Sequence, residues 1–169
     1  KILADHRPAA ALIFCETRND CDRMANLLNH HGAPALALHG GLEQRDRDDV
    51  LLQFNHGSIR LLVATNVAAR GLDIPALPAV VITELSLDPE SHLHRIGRTG
   101  RAGESGLAIS VVAGHAEEER LSRIEDFSGQ TIPRGGPLGQ GRTLDFLIPQ
   151  YQTLLIFSGR KDKLRKGDI

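Results

Sequence analysis

The chain has 169 residues, the length of one domain with room for a tail, and its 41% hydrophobic and 24% charged residues are typical of a globular protein. No apolar run approaches the roughly 20 residues that a membrane-spanning helix needs, and no signal peptide precedes the first element. The net charge is −1, and residues 1–158 carry 15 basic and 19 acidic groups, so the composition argues against a generic polyanion binder.

Short apolar runs alternate with amphipathic stretches over residues 1–127. Five runs have the continuous apolar character of strands buried on both faces: 11–14, 36–38, 61–63, 80–82 and 107–112. Strands that alternate with helices predict an α/β fold, a mostly parallel sheet with helices on both faces. Ligands of such folds bind beyond the carboxyl ends of the strands, so the turns after the strands should carry the chemistry.

Helix boundaries are marked by capping residues. Thr17 and Asp20 have capping-box-like spacing ahead of a first amphipathic stretch that Gly32 ends. A second helix is predicted from about 43 to 55, burying Val50, Leu51 and Phe54. Asp88-Pro89 is typical of an N-cap followed by proline at the first helical position. A last helix near 116–127 is predicted to bury Leu121, Ile124 and Phe127.

The C-terminal extension differs in composition. Residues 128–142 are rich in glycine and proline, which predicts a linker or irregular loop. Residues 143–169 hold two strand-like runs, 143–148 and 153–157, and a basic end. The second run would expose an unpaired strand edge, so we expect it to pair with the first run or with a neighbouring copy, giving a possible fragment dimer.

The sequence HRIGRTGR, residues 94–101, is the strongest functional pattern. Arg98 and Arg101 are three residues apart and project from similar sides of a helix end, while Gly97 and Gly100 leave room for an approaching phosphate. The planar, permanently charged guanidinium matches phosphate oxygens. The alternative is a solvated basic helix end that complements the helix dipole.

Two further turns follow predicted strands. In VATNVAARGLDI, residues 63–74, Thr65 and backbone amides would seat a phosphate and Asp73 would accept from ribose hydroxyls; the alternative is an N-cap at Thr65 and a turn at Gly71. In HGGLEQRDR, residues 39–47, Gln44 and Arg47 lie three apart on an opening helical turn, where donors converge on a phosphate. Taken alone, the segment favours the alternative, a charged helix face.

Together with ALIFCET, residues 11–17, these segments resemble in sequence and order the C-terminal RecA-like lobe of DEAD-box RNA helicases. The resemblance covers residues 11–112 and implies the second motor lobe of an ATP-dependent RNA helicase. It implies catalytic roles for Arg98, Arg101 and His94, with Asp73 and Gly71 beside the ATP. It implies RNA backbone contacts, blind to base sequence, by a set of five residues: Thr17, Gly40, Gln44, Arg47 and Thr65.

Three residues depart from the family pattern. Asn66 stands where aspartate is usual, His92 where tyrosine is usual, and Gly41 where aspartate usually follows His39-Gly40. None of these departures falls on the arginines of HRIGRTGR.

A narrower resemblance, to the bacterial DbpA type of helicase, rests on two segments. They are DPE at 88–90, which leads into HLHRIGRTGR, and TLLIFSGRKDKLRKGDI at 153–169 in the tail. That resemblance implies the start of a truncated RRM-like RNA-binding domain at 143–169 and a role in ribosomal RNA remodelling. A solvated basic extension is the alternative.

The chain contains no G-x-x-x-x-G-K-[ST] phosphate loop and no DEAD tetrad. We therefore expect the chain alone to be inactive, ATP to bind between it and an N-terminal lobe, and that lobe to hold Mg²⁺. No metal ligands are assigned to this chain. Because it begins at Lys1 rather than Met, we expect a piece of a longer protein. Cys15 and Cys21 suit neither a disulfide framework nor a zinc site, which favours a cytoplasmic location.

Two other function classes stay open at this point. One is a DNA helicase or translocase lobe. The other is a nucleotide-independent RNA-binding or dimerisation module. Stimulation by RNA but not DNA separates the first from the RNA helicase, and the presence of Arg98, Arg101 and Asp73 weighs against the second.

Overall fold

A computed structural model describes residues 8–72, 74, 77–100, 106–132, 134–137, 147–148 and 151–157, with backbone alone for 135–137, 147–148 and 151–157. The strands are β1 (Ala11–Cys15), β2 (Ala35–Leu38), β3 (Leu61–Thr65), β4 (Ala79–Ile82), β5 (Leu107–Val112), β6 (Arg134–Pro137), β7 (Leu147–Ile148) and β8 (Tyr151–Phe157). The helices are α1 (Arg18–His30), α2 (Gln44–Asn55), α3 (Asn66–Ala69), α4 (Pro89–Ile96) and α5 (His115–Ser128).

Five parallel strands in the order β2-β3-β1-β4-β5 form most of the sheet, with β2 at its edge, which confirms the predicted α/β fold. Alternate residues of β1 point to opposite faces, so Ile13 packs against α1 while Phe14 packs with α2 and α3. A third cluster lies under α5. Burial on both faces explains why the strands are continuous apolar runs.

The predicted caps are confirmed. Thr17 Oγ1 accepts a hydrogen bond from the Asp20 amide at 3.1 Å, and Gly32 takes a positive φ of 74° just past α1. Asp88 accepts from the Ser91 amide at 2.9 Å with Pro89 at the first helical position. Hydrogen bonds from the Ser91 hydroxyl and, secondarily, from the Ser91 amide lower the pKa of the Asp88 carboxyl below its ordinary value.

The predicted burial of Phe127 is wrong, since 60% of this side chain is exposed. The buried side of α5 runs through Glu117, Leu121 and Ile124. At about 100° per residue, Phe127 lies about 90° from the centre of that stripe. Leu51 of α2 is half-buried, whereas Val50 and Phe54 are buried as predicted.

The C-terminal extension joins the same sheet. Strand β8 pairs in parallel with β5 over six residues, and β6 and β7 also pair with β8. A strand at Arg134–Pro137 thus lies within the predicted linker. The two C-terminal runs do not pair with each other as predicted: Leu147 and Ile148 pair with Gln152 and Tyr151, whereas 153–157 pairs with β5 and β6. The unpaired edge expected at 153–157 is wrong because β8 has neighbours on both sides, and the reason for expecting a fragment dimer is lost.

Candidate functional site

The predicted site residues follow the carboxyl ends of neighbouring strands. Thr17 follows β1, Gly40 follows β2, and Thr65 ends β3 opposite Cys15 of β1. Helix α4, which follows β4, carries His94. The parallel sheet therefore gathers these segments at one edge, as the alternation of elements predicts.

A cleft of about 510 Å³ opens at this edge between α3 and α4. Its described lining is formed by Phe14, Asn66, Ala69, Arg70, Asp88, Glu90, Ser91, His94, Arg95 and Arg98. His94 and Arg98 therefore share one cleft. The guanidinium and imidazole groups supply hydrogen-bond donors and positive charge, which suit phosphate oxygens.

Arg95 anchors the helix that carries His94 and leads into Arg98. Only 3% of Arg95 is exposed, and its Nη2 donates to Glu16 Oε1 at 2.9 Å. Its Nη1 donates to the Glu84 carbonyl at 3.3 Å, and Arg95 Cζ lies 5.7 Å from the centre of the Phe14 ring. These contacts fix α4 against the end of β1. Since basic residues in an amphipathic helix are ordinarily solvated, the sequence alone does not reveal this role.

The turn after α4 is held by hydrogen bonds to Leu77, which precedes β4. The Leu77 amide donates to the Arg98 carbonyl at 3.1 Å, and Thr99 Oγ1 donates to the Leu77 carbonyl. A methyl group at Gly106 would overlap Thr99 Oγ1 and the Gly100 amide. Arg98 is thus presented from a packed turn. Arg101, the second predicted finger, lies outside the described residues.

The segment after β3 contains the N-cap and the glycine turn that were the alternative to a phosphate site. Thr65 is buried and its Oγ1 accepts from the Ala68 amide at 3.3 Å, which caps α3. Gly71 turns the chain at a φ of 72°. Asp73 lies outside the described residues. The cap uses one acceptor position of the Thr65 hydroxyl, and the O–H donor is not part of it.

Arg70 and Asn66 line the cleft although the sequence assigned them no role. Arg70 Nη2 donates to Ser91 Oγ at 3.3 Å and so connects the end of α3 with α4. Asn66, at the position where aspartate is usual, begins α3 and is half-buried. The sequence signal that could have identified them as cleft residues was their position within the 63–74 segment.

The remaining predicted residues lie outside the described cleft lining. Thr17 Oγ1 donates to Asp20 Oδ2 at 2.5 Å, and Gln44 Nε2 donates to Asp48 Oδ1 at 2.7 Å. Arg47 is half-buried, and its guanidinium makes no hydrogen bond or ion pair within the part of the chain that the structure describes. Gly40 is exposed beside Arg18.

Two negative findings apply to the described ranges. They contain no group of three or more His, Cys, Asp or Glu side chains that could hold a metal ion. Among their helices, none has the length and hydropathy to cross a membrane. Cys15 and Cys21 are both buried and free.

Comparison with known proteins adds to this geometry. Residues 1–103 match the family model described as helicase conserved C-terminal domain. The ATP-dependent RNA helicase DbpA of Escherichia coli is 48% identical over 174 residues, covering 100% of this chain and 36% of that protein. The ATP-dependent rRNA helicase RRP3 of Kluyveromyces lactis is 42% identical over 125 residues, covering 74% of this chain and 26% of that protein.

A solved structure is similar in fold and sequence. Saccharomyces cerevisiae Dbp5 L327V bound to RNA and ADP BeF3 superposes with a TM-score of 0.72 at 29% identity, covering 92% of this chain and 36% of that chain. The chain thus spans about a third of the length of these relatives.

Proposed function

Because this chain belongs to the helicase conserved C-terminal domain family and to the DEAD-box RNA helicases within it, we propose that it is the second motor lobe of an ATP-dependent RNA helicase. Its role there is to supply arginine fingers to ATP hydrolysis and part of the RNA backbone track. The whole enzyme then includes an N-terminal lobe that faces the described cleft.

The observation that carries this proposal is the shared cleft of His94, Arg98 and Arg70 at the carboxyl edge of the sheet. Its donors fit a nucleotide phosphate, and Arg98, Arg101 and His94 would hold that end, with Gly71 and Asp73 near the ribose. Bound ATP supplies the phosphoryl group that is transferred to water. Arg98 would neutralise charge on the phosphoryl oxygens, and comparable fingers contribute roughly 10³–10⁵ in rate. Mg²⁺ is assigned to the N-terminal lobe.

The RNA track is proposed to run over Thr17, Gly40, Gln44, Arg47 and Thr65. Within the described residues the Arg47 guanidinium has no hydrogen-bond or ion-pair partner, which supports a phosphate contact, because a cation that neutralises an RNA phosphate releases the counterions condensed there. Contacts to phosphate and sugar contribute affinity that does not depend on the base sequence. We place the enzyme in ribosomal RNA remodelling, which the similarity to an rRNA helicase favours. We place it in the cytoplasm because Cys15 and Cys21 form no disulfide.

Arg98→Lys in the full-length protein tests the finger. Lysine keeps the charge but loses the bidentate fork and shortens the reach, so RNA-stimulated hydrolysis should fall by about a thousandfold, with RNA affinity nearly unchanged. The measurements are steady-state ATPase and RNA binding by fluorescence anisotropy. The isolated chain should show no turnover, with or without RNA.

The matched variant is Arg47→Ala, which should weaken RNA binding and flatten its salt dependence. Normal hydrolysis by Arg98→Lys together with lost RNA affinity would reverse the two assignments. Stimulation by DNA as strongly as by RNA would favour a DNA helicase or translocase lobe. Robust turnover by the isolated chain would remove the two-lobe interpretation.

A further inference from the structure

Arg18 occupies a position between two of the proposed RNA-contacting turns. It is the first residue of α1, directly after Thr17, and its side chain lies over Gly40 in the turn after β2. A methyl group at Gly40 would stand 3.4 Å from Arg18 Nη2 and 3.9 Å from Cζ and Nε. The absent side chain at Gly40 therefore lets the guanidinium rest against the backbone of this turn.

The charge of Arg18 is not compensated locally. The residue is exposed, and its guanidinium makes no hydrogen bond or ion pair within the described ranges. The two nearby carboxylates on α1 are already engaged: Asp20 accepts from Thr17 Oγ1 at 2.5 Å, and Asp22 Oδ1 lies 2.9 Å from His39 Nε2. A cation that lies over a backbone turn and has no acidic partner among the described residues is suited to an external anion.

Gly41 explains why the acidic partner is absent. This is the position where the family pattern usually has aspartate. A methyl group here would lie 3.5 Å from Arg18 Cδ and 3.1 Å from His39 Nδ1, so a carboxylate on it would come within reach of the Arg18 guanidinium. The glycine removes that competitor. Meanwhile its amide donates to His39 Nδ1 at 3.1 Å, which keeps the turn in shape.

We propose that Arg18 is a further phosphate contact of the RNA track, and that glycine at position 41 leaves its guanidinium available to the RNA backbone. This proposal rests on the proposed function, because it adds the Arg18 guanidinium to the RNA track between Thr17 and Gly40. Arg18 then contributes affinity without base specificity, as expected of a contact to phosphate.

The test measures binding of a fluorescein-labelled oligouridylate to the full-length protein with a non-hydrolysable ATP analogue over a range of salt concentrations. Arg18→Gln keeps most of the side-chain length and removes the charge, and Arg18→Lys restores a cation. Gly41→Asp adds the competing carboxylate, and Gly41→Asn is its uncharged match with the same contact to His39. Arg47→Ala reports separately on the proposed track.

Arg18→Gln and Gly41→Asp should each weaken binding by about fivefold and lower the slope of log affinity against log salt by about 0.7, the value for one phosphate on single-stranded RNA. Gly41→Asn and Arg18→Lys should stay near wild type, and combining Arg18→Gln with Gly41→Asp should add little. A wild-type slope for Arg18→Gln overturns the phosphate contact. Equal losses for Gly41→Asp and Gly41→Asn overturn the role of Gly41, because the effect is then steric. If Arg47→Ala also keeps the wild-type slope, the RNA track of the proposed function fails as well.

Discussion

Replacing His92 should change how the stability of this domain depends on pH. The imidazole is fully buried on α4, with Nε2 3.4 Å from Ser110 Oγ and with Nδ1 lacking a hydrogen-bond partner within the described residues. Burial, and secondarily the positive charge of Arg95, lowers the pKa of His92 from its ordinary 6.5 to about 4. The folded protein therefore holds this side chain neutral where the unfolded chain protonates it.

The sign follows from proton binding. Between the two pKa values the unfolded state binds more protons, so acidification favours unfolding, and stability is lost as the pH falls below about 6.5. From about pH 7.5 to about pH 5, the contribution of His92 to the free energy of unfolding falls by about 2 kcal/mol. No discount for solvent screening applies because the ring is fully buried.

Urea denaturation at both pH values measures this effect. His92→Phe and His92→Gln both remove the titrating group but pack differently, so their absolute stabilities should differ. Their losses on acidification should nevertheless agree, and each should be smaller than the wild-type loss by about 2 kcal/mol. The other titrating groups are common to all three proteins and cancel in the comparison. A wild-type pH dependence in both variants would refute the buried, neutral histidine.

Two further predictions concern the contacts that support α4 and the turn carrying Arg98. Glu16→Ala should destabilise the domain by about 3 kcal/mol because it leaves a buried guanidinium without its acidic partner. Arg95→Leu should cost only about 1–2 kcal/mol because the Glu16 side chain, 40% exposed, can be rehydrated. Urea midpoints that rank the two variants in the opposite order would contradict this. Gly106→Ala should cost about 2–3 kcal/mol in thermal unfolding because the methyl group overlaps the Gly100 amide and Thr99 Oγ1. The control is Gly40→Ala, at another glycine without a positive φ, whose methyl group would meet the Arg18 side chain at 3.4 Å, an ordinary contact. Equal losses in the two variants would contradict overlap as the cause.

The central sheet and its caps were predictable from local chemistry. Continuous apolar runs identify strands covered on both faces, and the caps at Thr17 and Asp88 depend only on residues three positions away. Convergence of the functional segments at one edge followed from the parallel alternation of elements. The shared cleft of His94 and Arg98 was therefore an expected consequence of the topology.

The features that the sequence did not predict depend on packing between residues far apart in the chain. The periodicity of α5 did not reveal which flank of its apolar stripe faces solvent, so Phe127 was assigned wrongly. Burial of Arg95 depends on Glu16, which is 79 residues away, and no local pattern announces it. Strand β6 lies in a stretch whose glycines and prolines favour a loop, and only pairing with β8 makes it a strand. Arg18 meets Gly40 because α1 packs across β2, which sequence spacing does not show.

The charge distribution limits how strongly such a lobe would bind RNA. Residues 1–158 carry a net charge of −4, so the proposed track attracts a polyanion only where particular cations lack internal partners. Within the part of the chain that the structure describes, Arg18 and Arg47 meet that condition, whereas Arg95 is paired with Glu16. Affinity that rests on a few phosphate contacts has a shallow salt dependence and is modest for one lobe alone. If the proposed enzyme binds RNA tightly, the further phosphate contacts must then come from residues outside this chain.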